Sequence, residues 1–205
     1  MSRHINALIP AAGLSRRMGT FKPLLPLQGK TVIENTVEAL FSGGAEQLVV
    51  VLGHRGAELE ALLLDRWPTQ VILVYNPDPA GSDMLASIKL GLAAMPSCDA
   101  FFLLPGDMPA VSPETCRAVL RALPEDTRCA VFPTTAGRRG HPPLIGWGLR
   151  QDILTYDGPD GLRGFWQTQT APILTVPVED GGCRADLDTP DQYQAMLKRF
   201  SEISK

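Results

Sequence analysis

The stretch "QLVVVL", Gln47–Leu52, sets the fold class, because its last five residues are all apolar. Such a run predicts a strand that is buried on both faces, as in a parallel sheet covered by helices on each side. The stretch "FFLL", residues 101–104, repeats the pattern. On this basis we predict strands at Asn6–Pro10, Gln47–Leu52, Val71–Tyr75, Ala100–Leu104, Cys129–Phe132 and Ile173–Val178.

Helix signals lie between these strands. Thr31 and Glu34 have the spacing of a capping box, and Ser112 and Thr189 are each followed by a proline, which is typical of a helix start. The alternation predicts an α/β fold: a Rossmann-like, mostly parallel, doubly wound sheet with helices on both faces. Beyond residue 133 glycine and proline become dense, so we expect long functional loops there and a single domain over residues 1–205.

Composition argues against several classes of function. The 205 residues carry a net charge of −3, whereas nucleic-acid-binding proteins present basic surfaces, so we expect no nucleic-acid partner. No apolar run approaches the ~20 residues that a membrane-spanning helix needs, and we expect no membrane association. The four cysteines lack zinc-site spacing. With no secretory signal in view, the sequence predicts reduced thiols and a cytoplasmic protein.

The loop after the first predicted strand, "PAAGLSRRMGTFK" from Pro10 to Lys22, concentrates positive charge in an acidic chain. It matches neither the P-loop pattern, which needs a lysine directly after its last glycine, nor the three-glycine dinucleotide fingerprint. Its backbone amides can still approach a phosphate while Arg16 or Arg17, together with Lys22, supplies charge. The alternative is a solvated basic loop without a ligand.

A second candidate group is acidic. In "FFLLPGDMP", Asp107 follows a buried strand, and ligands of open α/β sheets bind beyond the carboxyl ends of the strands. One or two carboxylates, with water and substrate phosphates, are the usual environment of Mg²⁺. In "RADLDTP", Asp186 and Asp188 would share one face of an extended segment. The alternatives are a turn-forming aspartate at position 107 and acids that merely begin a helix after position 186.

Together these motifs resemble the molybdenum cofactor nucleotidyltransferases, and more closely their cytidylyltransferase branch. The stretch "PAAGLSRRMGTFKPLL" is similar to the family's N-terminal signature, with Arg17 and Lys22 at its arginine and lysine, and "GDMP" places Asp107 at its metal-binding aspartate. Ala12 stands where the guanylyltransferase branch usually has glycine. "DLDTP", residues 186–190, has acids where that branch tends to have asparagine, so both differences favour cytosine.

The resemblance also implies a set of site residues. Ser87 matches the family's S-[LI]-x-x-G pattern near the nucleotide, and "GRRGHPPLIG" places His141 in an acceptor loop. By the alternative interpretation, Ser87 is a polar residue on a core helix and His141 serves a turn. The implied roles are nucleotide binding by Ala11, Ala12, Gly13, Ser15, Arg17, Lys22 and Ser87, catalysis by Arg17, Lys22 and Asp107, acceptor binding by Arg139, His141 and Arg163, and binding of Mg²⁺ or Mn²⁺ by Asp107, Asp188 and Asp186.

The resemblance implies a fold of the nucleotide-diphospho-sugar transferase type and the transfer of CMP from CTP to the phosphate of a molybdopterin-type cofactor, with release of pyrophosphate. Because an acceptor phosphate is already ionised, no strong general base is required. The implied partners are CTP, the molybdopterin-type acceptor, and a molybdoenzyme apoprotein or its maturation chaperone.

Two alternatives stay open. One is a nucleotidyltransferase that uses GTP, or that acts on a sugar phosphate or another small phosphorylated acceptor. The other is a non-catalytic carrier of the molybdenum cofactor. Arg17, Lys22 and Asp107 argue against the carrier, because a carrier has no use for residues that handle a triphosphate.

Overall fold

A computed structural model describes residues 3–15 and 18–203 of the chain. Its strands are β1 (Ile5–Pro10), β2 (Pro26–Leu27), β3 (Lys30–Thr31), β4 (Gln47–Leu52), β5 (Val71–Tyr75), β6 (Ala100–Leu103), β7 (Ala130–Thr135), β8 (Arg138–Arg139), β9 (Leu144–Gly146) and β10 (Ile173–Pro177). Its α-helices are α1 (Val32–Ser42), α2 (Gly56–Arg66), α3 (Met84–Ala94), α4 (Pro113–Arg121), α5 (Arg150–Thr155), α6 (Gly161–Thr168) and α7 (Pro190–Ile203). Within the described ranges, every helix is too short or too polar to cross a membrane.

One large sheet organises the chain, with its strands in the order β10, β7, β9, β6, β1, β4, β5 and with β8 added to β7. The central strand β1 pairs in parallel with β4 on one side and β6 on the other. β9 runs antiparallel to both of its neighbours, β6 and β7. The prediction of a mostly parallel α/β sheet is therefore confirmed, while the three-residue β9 was too short to give a recognisable apolar run.

The sheet separates two hydrophobic cores, because successive side chains of a strand point to opposite faces. Ile5, Ala7 and Ile9 of β1 pack in a core with side chains of α1, α2 and α4. Leu8, from the same strand, packs in a second core with side chains of α3, α5 and α6. The predicted arrangement, with helices on both faces, is confirmed.

The predicted helix starts are also confirmed. Thr31 Oγ1 accepts a hydrogen bond from the Glu34 backbone N at 3.3 Å, and Glu34 Oε2 accepts one from the Thr31 backbone N at 2.6 Å, which completes the capping box of α1. Ser112 Oγ accepts from the Glu114 backbone N at 3.2 Å, and α7 begins at Pro190.

The segment after residue 133 differs from the expectation, because the helices α5 and α6 form where long loops were predicted. Phe165 of α6 is only 2% exposed and packs in the second core. Tertiary packing stabilises short helices more than intrinsic propensity does, so the glycine-rich composition did not exclude a helix. The helix α2 and the strands β8 and β9 were likewise not predicted.

Candidate active site

A hydrogen bond connects the beginning and the end of the loop that follows β1. The Lys22 backbone N donates a hydrogen bond to Ser15 Oγ at 3.2 Å, which joins the two described ends of this loop. Arg16 and Arg17 lie outside the described residues. The choice of Arg17 rather than Arg16 as the phosphate contact therefore stays a prediction.

Lys22 occupies the centre of the site. Its residue is 7% exposed, and its Nζ donates to Asp107 Oδ2 at 2.9 Å and to Asp188 Oδ1 at 2.7 Å. Burial on its own lowers the pKa of Lys22, but the hydrogen bonds and charges of Asp188 and Asp107 outweigh it, so the pKa lies above the usual 10.5. The lysine is therefore a permanently charged group that holds two carboxylates from distant parts of the chain.

A backbone hydrogen bond explains how these two carboxylates meet. The Leu187 backbone N donates to the Asp107 carbonyl O at 3.2 Å, which ties the segment before α7 to the loop after β6. Leu187 is fully buried, whereas Asp186 is exposed and Asp188 is half-buried. Both acids line the same cavity, as the two-residue spacing predicts, but in the described chain Lys22 pairs with Asp188 and not with Asp186.

The carboxylates around Lys22 are the candidate ligands of a divalent ion. Among residues 3–15 and 18–203, no three side chains of His, Cys, Asp or Glu gather into a ready-made metal site. Asp107 and Asp188 nevertheless both bind one cationic atom, Lys22 Nζ. Mg²⁺ usually takes one or two carboxylates and completes its shell with water and substrate phosphates. The pair therefore fits an ion that arrives with a polyphosphate.

Two cavities meet at this centre, and a third cavity adjoins one of them. The inner cavity, of about 260 Å³, lies between the loop after β1 and the start of α3. Every described residue that was predicted to bind the nucleotide lines it: Ala11, Ala12, Gly13, Ser15, Lys22 and Ser87. The structure thus brings together a set that the sequence spreads over 77 positions, from 11 to 87.

A buried amide that was not predicted organises the inner cavity. Asn76 is 6% exposed, and its Oδ1 accepts a hydrogen bond from the Asp78 backbone N at 2.9 Å. This bond fixes the orientation of the amide, so Nδ2 is the atom that donates to Ser82 Oγ at 2.8 Å and to Ser87 Oγ at 3.0 Å. Because Ser87 Oγ accepts from Asn76, its own hydroxyl hydrogen is left to donate to a ligand.

The central cavity, of about 550 Å³, adjoins the inner one. Six residues line both cavities and form the boundary between them. Its two charged members are Lys22 and Asp107, and the others are Gly13, Ser15, Met84 and Pro105. On the far side of that boundary the central cavity is lined by Asp186, Asp188, Arg139 and His141. The predicted acceptor residues Arg139 and His141 thus face the same centre as the predicted metal ligands.

His141 combines a fixed backbone with an unsatisfied ring. Its backbone N donates to the Cys183 carbonyl O at 2.7 Å, while its Nδ1 is buried without a hydrogen-bond partner in the described part of the protein. Burial lowers the pKa of His141, against the opposing effects of a hydrogen bond with the Leu103 backbone and of the nearby charges of Asp107 and Asp186. The ring is therefore neutral at pH 7, and its Nδ1 is a buried nitrogen whose hydrogen-bonding capacity is unused by the described residues.

The third predicted acceptor residue, Arg163, does not reach the central cavity. It lines the aromatic cavity, of about 400 Å³, which is formed largely by Phe132, Trp166 and neighbouring residues of α6. Arg139 and His141 line this cavity as well as the central one. Arg163 is thus separated from Lys22 and Asp107 by a second compartment rather than placed beside them.

Comparison with known proteins places the chain in a family of nucleotidyltransferases. Residues 7–173 match the family model of the MobA-like NTP transferase domain. The chain is 28% identical over 201 residues to the molybdenum cofactor cytidylyltransferase of Escherichia coli, covering 97% of this chain and 98% of the relative. It is 28% identical over 200 residues to the nicotine blue oxidoreductase of Paenarthrobacter nicotinovorans (94% and 96% covered). It is 30% identical over 182 residues to a probable molybdenum cofactor guanylyltransferase of Natranaerobius thermophilus (80% of each covered).

Solved structures agree in fold. A nucleotidyl transferase from Methanothermobacter thermautotroptrophicus superposes with a TM-score of 0.81 at 28% identity, covering 98% of this chain and 100% of that one. Rv0371C of Mycobacterium tuberculosis in complex with manganese gives a TM-score of 0.75 at 24% identity, with 97% and 100% covered. The fold is thus of the nucleotide-diphospho-sugar transferase type, as expected. This chain belongs to the family of MobA-like NTP transferase domains, and it is a nucleotidyltransferase.

Proposed function

We propose that the protein transfers CMP from CTP to the phosphate of a molybdopterin-type acceptor and releases pyrophosphate. The observation that carries this proposal is the boundary formed by Lys22 and Asp107, which line both the inner and the central cavity. A donor nucleotide in the inner cavity and an acceptor phosphate in the central cavity would meet at these two side chains. Nucleotidyl transfer requires this juxtaposition, because positioning contributes much of the rate.

Each charged residue at the boundary has a distinct task in this proposal. The acceptor phosphate oxygen attacks the α-phosphorus of CTP in line, and the bond to the leaving pyrophosphate breaks. Lys22, with Arg17 from the same loop, stabilises the negative charge that grows on the α-phosphate and on the pyrophosphate. Asp107 and Asp188 would hold Mg²⁺, which when bound neutralises phosphate charge. Asp186, which lines the same cavity, is the third candidate ligand.

The donor compartment is assigned to CTP. Ala12, the acids of "DLDTP" and the similarity to a cytidylyltransferase over 97% of the chain support cytosine. Ser87, whose hydroxyl hydrogen is free to donate, suits a carbonyl or ring-nitrogen acceptor on the base or an oxygen of the ribose. The guanylyltransferase relative makes GTP the competing donor.

Calorimetry with both nucleotides tests the donor assignment. In the presence of Mg²⁺, CTP should bind at least about tenfold more tightly than GTP, a difference of ~1.4 kcal/mol. Equal or tighter binding of GTP would refute the assignment of the donor as CTP.

The acceptor assignment is tested at His141. His141→Ala should weaken use of the acceptor and leave CTP affinity nearly unchanged. A matched loss of CTP binding would show that the loop carrying His141 contacts the nucleotide instead.

A further inference from the structure

The aromatic cavity has a fixed aromatic wall. Phe132 and Trp166 meet edge to face, with ring centroids 5.3 Å apart and planes at 84°. Phe165 also contacts Trp166, with ring centroids 4.9 Å apart. Phe132 is 7% exposed, whereas Trp166 is half-buried. Two contacts thus set the orientation of an indole that remains accessible, and rigid aromatic faces of this kind stack on flat heterocycles.

One face of α6 supplies the polar rim of the cavity. Leu162, Arg163, Trp166 and Gln167 all line it, and their spacing places them on one side of the helix. The side-chain amide of Gln167 can donate and accept hydrogen bonds at once, which suits the edge of a heterocyclic ring. The volume of about 400 Å³ lies within the range of roughly 300–1,000 Å³ that is typical of small-molecule sites.

The arginines around this cavity differ from most of those elsewhere on the molecule. In the described chain, eight arginines bond to a carboxylate or a backbone carbonyl: Arg3, Arg55, Arg66, Arg117, Arg121, Arg128, Arg150 and Arg199. Arg139 and Arg163, by contrast, have no such partner among the described residues, and neither has Arg184 on the adjoining central cavity. The exposed Arg138, which lines none of the three cavities, also has no such partner there. The Arg139 guanidinium lies over the Phe132 ring, 5.1 Å from its centroid.

The aromatic and central cavities adjoin each other. Arg139, Gly140 and His141 line both of them, and the central cavity ends at Lys22 and Asp107. A molecule whose phosphate reaches this centre can therefore place its other end against Trp166. That end would contact the aromatic rings of Phe132 and Trp166, the amide of Gln167 and the guanidinium of Arg163.

We infer that the aromatic cavity binds a flat, fused heteroaromatic ring that carries hydrogen-bonding groups and an anionic substituent, and that this ring is the body of the acceptor. The inference rests on the proposed function, because that function identifies the bound ring as part of the acceptor. It adds Trp166, Phe132 and Gln167 to the acceptor site and gives Arg163 its place there. Arg139, shared by both cavities, would bridge the ring compartment and the phosphate compartment.

Binding of pterin-6-carboxylate, measured by calorimetry without CTP, tests the inference. This probe is flat and anionic, and ribose 5-phosphate, which is anionic but has no aromatic ring, is the comparison. Trp166→Leu should weaken pterin-6-carboxylate at least about tenfold, since one stacking face is lost. Trp147→Leu makes the same change in a tryptophan outside the cavity and should change the affinity by less than about twofold. Binding of ribose 5-phosphate should be the same in both variants.

Arg163→Gln provides a second variant at an exposed position and so covers the case in which Trp166→Leu fails to fold. It should weaken pterin-6-carboxylate more than the uncharged 6-hydroxymethylpterin. The inference is overturned if wild-type protein does not bind pterin-6-carboxylate, or if the Trp166 and Trp147 variants lose affinity equally. Transfer of CMP is measured separately. If the protein binds the pterin but does not transfer CMP, only the proposed function is contradicted. If CMP transfer does not depend on Trp166, only this inference is contradicted.

Discussion

At the scale of single residues, the site is a balance of charges around Lys22. One buried ammonium faces two carboxylates at hydrogen-bonding distance, and its pKa is raised rather than lowered by the surroundings. The positive charge of Lys22 balances the two carboxylates, which our account assigns to a divalent cation when the nucleotide binds. In our account, a nucleotide binds together with a divalent cation. Its phosphates then pair with Lys22, and the cation pairs with the two carboxylates.

Asp107→Asn should leave the fold intact and lower turnover by about a hundredfold or more, because the neutral amide keeps the shape of the carboxylate but loses the charge that neutralises the cation. The matched control is Asp157→Asn, which makes the same change at an exposed aspartate outside the three cavities. Steady-state rates with circular dichroism as the folding control decide the matter. Equal rates in the two variants would remove Asp107 from the chemistry.

Lys22→Met should increase the affinity for Mn²⁺ measured without nucleotide, by about tenfold or more (~1.4 kcal/mol), because the carboxylates lose the cation that competes with the metal. Electron paramagnetic resonance of free Mn²⁺ measures this directly. Lys30→Met, which breaks an ion pair with Glu38 outside the site, is the control. An unchanged or weaker affinity in the Lys22 variant would show that the ammonium does not occupy the place of a metal.

His141 should make the protein less stable in acid. Its pKa lies below 6.5 in the folded protein because the ring is buried, so below pH 6.5 the unfolded chain binds a proton that the folded protein does not yet bind. Each pH unit of that window costs about 1.4 kcal/mol of unfolding free energy. From pH 7 to pH 5, urea denaturation should therefore show a smaller loss of stability in His141→Gln than in the wild type. Parallel curves for the two proteins would contradict this.

At the scale of elements, α3 depends on close contact with the sheet. A Cβ added to Gly91 would lie 2.2 Å from Leu8 Cδ1 and 2.9 Å from Val51 Cγ2. The family pattern S-[LI]-x-x-G, which begins at Ser87, ends at Gly91. This glycine has a packing role, because it lets α3 approach β1 and β4. The same helix carries Ser87 into the inner cavity.

Gly91→Ala should destabilise the protein by about 1–2 kcal/mol, because an overpacking cost of ~1–3 kcal/mol exceeds the gain of ~0.5–1 kcal/mol in helix propensity. It should also weaken CTP binding, since α3 must move away from the sheet. Gly181→Ala is the control, because an added Cβ there has its nearest neighbour at 3.6 Å. Denaturation and calorimetry on both variants test the claim, which fails if Gly91→Ala is as stable as the control variant.

The sequence was most informative where one element is buried on both faces. The runs in β4 and β6 could be read directly, and the rule that ligands bind beyond the carboxyl ends of strands led to Asp107. The same rule applies to Asn76, which directly follows β5, but a lone polar residue in a turn carries no charge pattern to single it out. The helices α5 and α6 escaped prediction because their stability comes from tertiary burial of residues such as Phe165, which local composition does not report.

At the scale of the whole molecule, the carboxyl edge of the sheet carries two regions: the inner cavity on one side, and the central and aromatic cavities on the other. The inner cavity is framed by the loop after β1 and by α3, whereas the central and aromatic cavities are framed by the segments around β8, α6 and residue 183. Backbone hydrogen bonds from Leu187 to Asp107 and from His141 to Cys183 connect the late segments to this centre. That residues 1–205 form a single domain stays a prediction.

The most direct test of the central claim follows the label from CTP carrying ³²P at the α-phosphate, with Mg²⁺ and molybdopterin, in the wild type and in Asp107→Asn. If CMP passes across the boundary formed by Lys22 and Asp107, the acceptor becomes labelled, one pyrophosphate appears per labelled acceptor, and the Asp107 variant forms neither at a comparable rate. Label that stays in CTP, or that appears as free CMP while the acceptor remains unlabelled, would contradict the account.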